Sequence, residues 1–326
     1  MKDEFIGSQN KLISFPGDWQ WLDLTVDEWS SPEIEKLRLD HPNSVEWLDI
    51  LQDQKSNYIS VRFPDGENPS IFGAMVYSIN SAKINGIREV QQCHYFVYKN
   101  NLITINLDDQ TRETLNKKSR MIMLQQCQQA IEGLFVIEWT VLHYLHQGMD
   151  EYECNLRELE HRMEMNNHRH LMDEILDSRY ELLFWSNLLI SFLELIVASN
   201  EAYLEEFKDN RFYNRLFHRI DRMERLIVHY NNEIDTLISI DNAVSAFRGN
   251  EIMKTLTILT AVFTPASVIG AIWGMNFDII PISKISWGFL GMIVMIGLTT
   301  MVMYYWMHKK GWTGDLLKGK SKERNI

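Results

Sequence analysis

Two stretches in the last quarter of the chain contain no acid or base: residues 255–277, between Lys254 and Asp278, and residues 285–307, between Lys284 and the basic group at Lys309. Each is 23 residues long. As a helix, such a run is roughly 34 Å long, enough to cross a hydrocarbon core of about 30 Å with some tilt. A buried helical hairpin in a soluble domain is the competing reading, and two adjacent uncharged runs of this length are rare there. The overall hydrophobic content of 45% is ordinary for a folded protein, so the membrane signal lies in placement.

Charge is divided in the same way. The tail from His308 to Ile326 carries six Lys or Arg against two acids, residues 251–307 balance at zero, and residues 1–250 therefore hold a net charge of −16 out of the total of −12. The tail, with Lys309, Lys310, Lys318 and Lys320, is the basic flank that stays on the cytoplasmic side. Two spans return the acidic N-terminal part to that same side. The expectation is a multi-pass protein of the cell (inner) membrane with both termini cytoplasmic, and no nucleic acid among its partners. Met1 to Ser30 shows no apolar run of the signal-peptide kind. Cys93, Cys127 and Cys154 are scattered and odd in number, which predicts reduced packing residues rather than disulfides or a CxxC metal site.

Five of the seven prolines lie in the first 69 residues, and that part reads as mixed α/β. Tyr58 to Phe63 alternates like a strand, Met75 to Ile79 follows a Pro/Gly-rich turn, and Tyr95 to Tyr98 with Leu102 to Ile105 reads as a hairpin through Lys99-Asn100-Asn101. Ser31 to Leu39 has helical spacing. Between Gly148 and Gly249 there are 100 residues without Gly or Pro, which predicts helix with few breaks. One helix of that length would reach about 150 Å, so at least one fold-back is expected, with Asn166-Asn167-His168 a plausible turn. From about Glu201, the apolar positions Leu216, Ile220, Met223, Ile227, Tyr230, Ile234 and Leu237 recur every three or four residues and run without proline into the first span. A long exposed amphipathic helix of this kind needs partners, so self-association follows.

The first span ends in Trp273-Gly274-Met275-Asn276-Phe277. In this position, at the outer mouth of the first of two C-terminal spans and ahead of a short loop and a basic tail, the chain resembles the CorA family of divalent-cation channels, whose hallmark is Gly-Met-Asn. Met253-Lys254-Thr255-Leu256-Thr257, Phe263-Thr264-Pro265 and Lys309-Lys310-Gly311-Trp312 also look like family segments, with weaker likeness at Trp21 to Leu24 and Lys99 to Thr104. The resemblance implies an α+β fold: a cytoplasmic α/β domain (residues 1–107), a helical region with a long stalk (108–250), a first transmembrane pore helix (251–276), an outer loop (277–286), a second transmembrane helix (287–307) and a basic cytoplasmic tail (308–326), assembled as a CorA-like funnel. It also implies a homopentamer that admits Mg2+ first, with Co2+, Ni2+ or Zn2+ possible as cargo, and no cofactor.

Helical geometry gives an independent reading of the pore. At 100° per residue from Met253, the residues Leu256, Thr260, Thr264, Ser267, Ala271 and Gly274 fall within an arc of roughly 80°, while Ile258, Val262 and Ile269 lie opposite. A pore lining and a close helix contact both suit such a face. The resemblance assigns Gly274, Met275 and Asn276 to an outer filter, with Asn276 contacting the ion through its water shell. It places Met253 and Leu256 at an apolar constriction and Asn250 just below it. Mg2+ sheds water reluctantly, so an uncharged oxygen ring that holds the hydrated ion avoids the dehydration cost.

Two departures from the family pattern are visible. The outer loop keeps Asp278 for cation attraction but has Ile282 after Pro281 and adds Lys284, so its ion-attracting ring is weaker. The zinc-transporting ZntB branch, which shares Gly-Met-Asn, usually lacks acid there, so Asp278 favours Mg2+, with proton-coupled Zn2+ transport as the alternative. The acidic stalk segment that holds regulatory metal in relatives corresponds to Asn214-Arg215-Leu216-Phe217-His218, which has no acid; that site is not carried over. His161, His168 and His170 beside Glu164 lack ligand spacing and read as an exposed helix end. No phosphate loop or nucleophile motif points to an enzyme. A membrane-anchored helical adaptor or sensor is the remaining alternative.

Overall fold

The computed structural model describes residues 3–5, 10–52, 54, 56–79, 89–165, 171–207, 209–275 and 287–312. It falls into two compact units, Met1–Ile238 and Ser239–Ile326.

The first unit is built on a seven-stranded sheet. Its strands are β1 (Asp3–Phe5), β2 (Lys11–Ser14), β3 (Gln20–Leu24), β4 (Tyr58–Arg62), β5 (Ser70–Tyr77), β6 (Gln91–Tyr98) and β7 (Asn101–Ile105), in the order β1-β2-β3-β7-β6-β5-β4. The expected hairpin is present as β6–β7, with Tyr98 opposite Asn101 and Lys99 at φ 50 in the two-residue turn. Every neighbouring pair is antiparallel except β3 with β7, where Trp21 lies beside Leu102.

Side-chain alternation along the strands serves two cores. Cys93, Tyr95 and Val97 of β6 face one side, while Phe96 and Tyr98 face the other. The smaller core lies under α1 (Pro32–Asp40) and α2 (Val45–Ile50), where Trp47 stacks on Phe96 at 5.3 Å. The larger core lies under α5 (Ala130–Met165) and α6 (Leu171–Tyr203), which follow the short helices α3 (Asp109–Asn116) and α4 (Lys118–Gln125). Asp108 caps α3 by accepting from the Thr111 amide at 2.7 Å. Arg112 of α3 reaches the buried Asp23 of β3 at 2.7 Å, and Asp23 also accepts from Thr104 of β7.

Within the described residues the Gly- and Pro-free stretch is broken between α6 and α7 rather than running on from Glu201. A 3-10 turn at Leu204–Phe207 ends α6, and α7 (Arg211–Trp273) begins only afterwards. Its start is fixed by Asn210, whose Oδ1 accepts from the Phe212 and Tyr213 amides while its Nδ2 donates to Glu132 Oε1 at 2.6 Å. Glu132 in turn accepts from the Gln128 amide at the head of α5. The expected turn at Asn166-Asn167-His168 lies outside the described residues. Along α7 the predicted stripe from Leu216 to Leu237 is buried in the larger core. Cys93 and Cys127 are buried and unpaired as expected, but Cys154 is exposed, because it points away from the core side of α5.

Among the described residues three helices are long and apolar enough to cross a membrane: α6, α7 and α8 (Gly288–Lys309). Much of the apolar surface of α6 is spent on the larger core, through Leu182, Trp185, Leu189, Phe192 and Leu195. The apolar segments of α7 and α8 have almost none of their surface buried within the single chain. These two segments make up the second unit.

Candidate ion-conduction face

The second half of α7 contains Asn250, Met253, Leu256, Thr260, Thr264, Ser267 and Ala271 in one unbroken helix, so the angular spacing read from sequence holds along its length. Their exposure in the single chain is high, with Met253 at 62% and Leu256 at 54%. The flanks of this face are exposed too, through Leu259, Phe263 and Val268, and Ile258, Val262 and Ile269 on the opposite side are partly exposed. Both faces therefore need covering, one by lipid or protein and the other by whatever the smaller residues admit.

The hydroxyls on this face are already oriented. Thr260 Oγ1 donates to the Leu256 carbonyl at 2.8 Å, Thr264 Oγ1 to the Thr260 carbonyl at 2.7 Å, and Ser267 Oγ to the Phe263 carbonyl at 3.1 Å. Each hydroxyl spends its hydrogen on the preceding turn, so its oxygen is left as an acceptor. A hydrated cation turns water hydrogens outward, and acceptors are what such a surface requires. Pro265 lies inside this stretch and supplies no N–H to the carbonyl of Ala261.

The helix closes at its far end with a tightened turn: the Gly274 amide donates to the Gly270 carbonyl at 2.9 Å and the Met275 amide to the Ile272 carbonyl at 3.3 Å. A helix C-terminus carries about half a negative charge on its unpaired carbonyls, which favours a cation at that point. Gly274 and Met275 are exposed there. Asn276 and Asp278 lie outside the described residues, as does the loop with Lys284.

Elsewhere the charged groups are arranged differently from the family pattern. Among the described residues no group of three His, Cys, Asp or Glu is placed to hold a metal; His168 and His170 lie outside them. In the Asn214 to His218 segment, Arg215 and His218 are exposed while Leu216 enters the core. One carboxyl that the sequence reading did not single out is Glu138 of α5. It is 1% exposed, its Oε2 has no hydrogen-bond partner, and burial pushes its pKa up to about 8. Nothing in the run Phe135-Val136-Ile137-Glu138-Trp139 marks that acid as buried except the apolar residues on both sides.

Comparison with known proteins bears on what this face does. The family model for CorA-like Mg2+ transporter protein matches residues 16–309. The chain is 29% identical over 311 residues to the magnesium transport protein CorA of Bacillus subtilis, covering 94% of this chain and 95% of that protein. Among solved structures it is similar to the complete CorA magnesium transporter of Methanocaldococcus jannaschii, with a TM-score of 0.67 and 22% identity over 93% of this chain and 95% of the other. It is also similar to the ZntB cytoplasmic domain of Vibrio parahaemolyticus, with a TM-score of 0.51 and 14% identity over 70% of this chain and 88% of that one. At these identities the structural likenesses show the fold, which is the expected α+β arrangement of sheet, long helix and C-terminal apolar helices.

Proposed function

Because the chain belongs to the CorA-like Mg2+ transporter protein family, we propose that it forms a homo-oligomeric pore, a pentamer as the family resemblance implies, that lets Mg2+ into the cell down the membrane potential. The observation that carries this reading is the row of oriented hydroxyls on one face of α7, ending at Gly274. Copies of that face around an axis line the pore with acceptor oxygens for a hydrated ion. At the mouth, the helix C-termini and the Asn276 side chains form the filter, with Asp278 drawing cations to it. At the other end Met253 and Leu256 form an apolar constriction that closes by dewetting, with Asn250 below it. A divalent ion crossing 100 mV gains about 4.6 kcal/mol, twice the value for one charge, so influx needs no other energy source. Lys309 at the end of α8 and Lys310 after it form a basic flank, which supports a topology with both termini in the cytoplasm. Co2+ and Ni2+ are secondary cargo.

The outer loop favours a second reading. Ile282 and Lys284 weaken its attraction for cations, as in proton-coupled Zn2+ transport of the ZntB kind. Uptake into proteoliposomes from mixtures of Mg2+, Co2+, Ni2+ and Zn2+, with and without a proton gradient, separates the two. Mg2+ uptake that ignores the gradient and falls at least tenfold in Asn276→Ala is the expected result; Zn2+ uptake driven by the gradient moves the chain to the second reading. Uptake unchanged in Asn276→Ala removes the filter, and favours a membrane anchor over a pore.

A further inference from the structure

On α7, Arg215, Arg219 and Arg222 are spaced by four and three residues and so share one face. Like charges at such spacing cost a few tenths of a kcal/mol per pair in a helix, and a compensating acid would be the ordinary remedy. The neighbouring helices bring more positive charge instead. Arg120 of α4 holds its guanidinium 3.8 Å from the centre of the Trp139 ring on α5, and Arg219 holds its own 5.2 Å from the same ring. Arg219 Nη1 donates to the Trp139 carbonyl at 3.3 Å, and Arg222 Nη2 lies 3.5 Å from His146 Nε2. His143, one turn beyond Trp139, has its pKa lowered by burial and then by Arg219, His146 and Arg120.

The groups repel one another without relief. Burial, and then Arg222 and Arg120, push the Arg219 pKa down to about 10. Arg219 Nε is buried and makes no hydrogen bond. The acid at hand is Asp150, 3.5 Å from His146 Nδ1; among the described residues no carboxylate pairs with Arg120, Arg219 or Arg222. Apart from the Trp139 ring, Arg120 has among the described residues only the Met123 sulfur, at 3.7 Å. In a chain with a net charge of −12, two guanidinium groups at one indole, with a third one turn along α7 beside His146 and no acid paired to any of them, are held against the general balance of the surface.

We propose that this surface of α4, α5 and α7 binds a phosphate-class oxyanion, gripped by Arg120 and Arg219, which the Trp139 ring holds in place, and by Arg222 one turn along α7. Guanidinium forks match the spacing of phosphate oxygens, and stacking on an indole holds them in a fixed direction. A doubly charged oxyanion with three free oxygens answers three forks, whereas one carboxylate answers only one. The site lies within the first unit and is independent of the transport reading.

The test uses the full chain in detergent, freed of divalent ions by chelation and held at constant ionic strength, with pyrophosphate as the probe and orthophosphate and ATP as further arms. Tryptophan emission and titration calorimetry should both show saturable binding, with the emission change absent in Trp139→Phe. Arg219→Gln and Arg120→Gln should each weaken the midpoint at least tenfold, while Arg225→Gln, at an exposed residue paired with Asp221, should leave it unchanged. ATP binding much tighter than pyrophosphate would place a nucleotide on the site; equal binding would assign the phosphates alone. The proposal is overturned if sodium chloride at matched ionic strength gives the same response, or if Arg120→Gln, whose guanidinium is only partly buried, binds as wild type does. It is likewise overturned if pyrophosphate fails to bind and the variants shift the protein to smaller species on size exclusion, which would assign the face to acids of a second copy.

Discussion

Glu138 illustrates how much one side chain can set. Enclosed beside Tyr95 and Cys93 of β6, it stays protonated through neutral pH because ionisation there has no counter-charge. Its ordinary pKa is 4.5 and its folded value is about 8. The unfolded chain therefore gives up this proton first, so the stability contribution is fully present below about pH 4.5 and is lost as pH rises to about 8, at about 1.4 kcal/mol per pH unit. Glu138→Gln keeps the shape without the titration. Thermal denaturation of the two proteins at pH 5 and pH 8 should show the variant gaining on wild type at the higher pH, and parallel behaviour would mean that the carboxyl finds a partner. This residue was not legible in the sequence, because a lone Glu between apolar residues looks the same on a core-facing as on a water-facing turn. Gly274-Met275-Asn276 was legible as a motif, since its meaning comes from its place at the end of an uncharged run.

At the level of elements, α5 and α6 meet through a glycine. A Cβ on Gly148 would lie 2.1 Å from Trp185 Cη2, and Trp185 is fully buried. Replacing a helical Gly by Ala ordinarily gains up to about 1 kcal/mol, but overpacking a core costs about 1–3 kcal/mol. The clash wins here: Gly148→Ala should lower the melting temperature measurably, and a raised one would show that the indole can move aside. The buried stripe of α7 could be read from Leu216 to Leu237 because its period is regular over six turns. Its starting point could not, since it depends on Asn210 bridging to Glu132, 78 residues earlier. The same limit hid the parallel pairing of β3 with β7: Trp21 and Leu102 are neighbours through the sheet, and nothing local in either strand encodes the other. Strands β1 and β2 are short, too short for their alternation to stand out.

For the whole molecule, the consequence of the sequence is that one helix holds both a core-forming stripe and a face of small and hydroxyl side chains. The first was fixed by apolar periodicity; the second by the absence of charge from residue 255 to 277. Whether that second face carries ions is the central claim, and a phenylalanine placed on each side of the helix in turn tests it. Ser267→Phe fills the proposed conduction side of α7 and Ile269→Phe fills the other, two residues away. With both proteins reconstituted into vesicles under an inside-negative potential, Mg2+ uptake should be abolished by Ser267→Phe and remain within about twofold of wild type in Ile269→Phe. Uptake that survives Ser267→Phe, or that is lost equally in both, would contradict the assignment of this face to the pore.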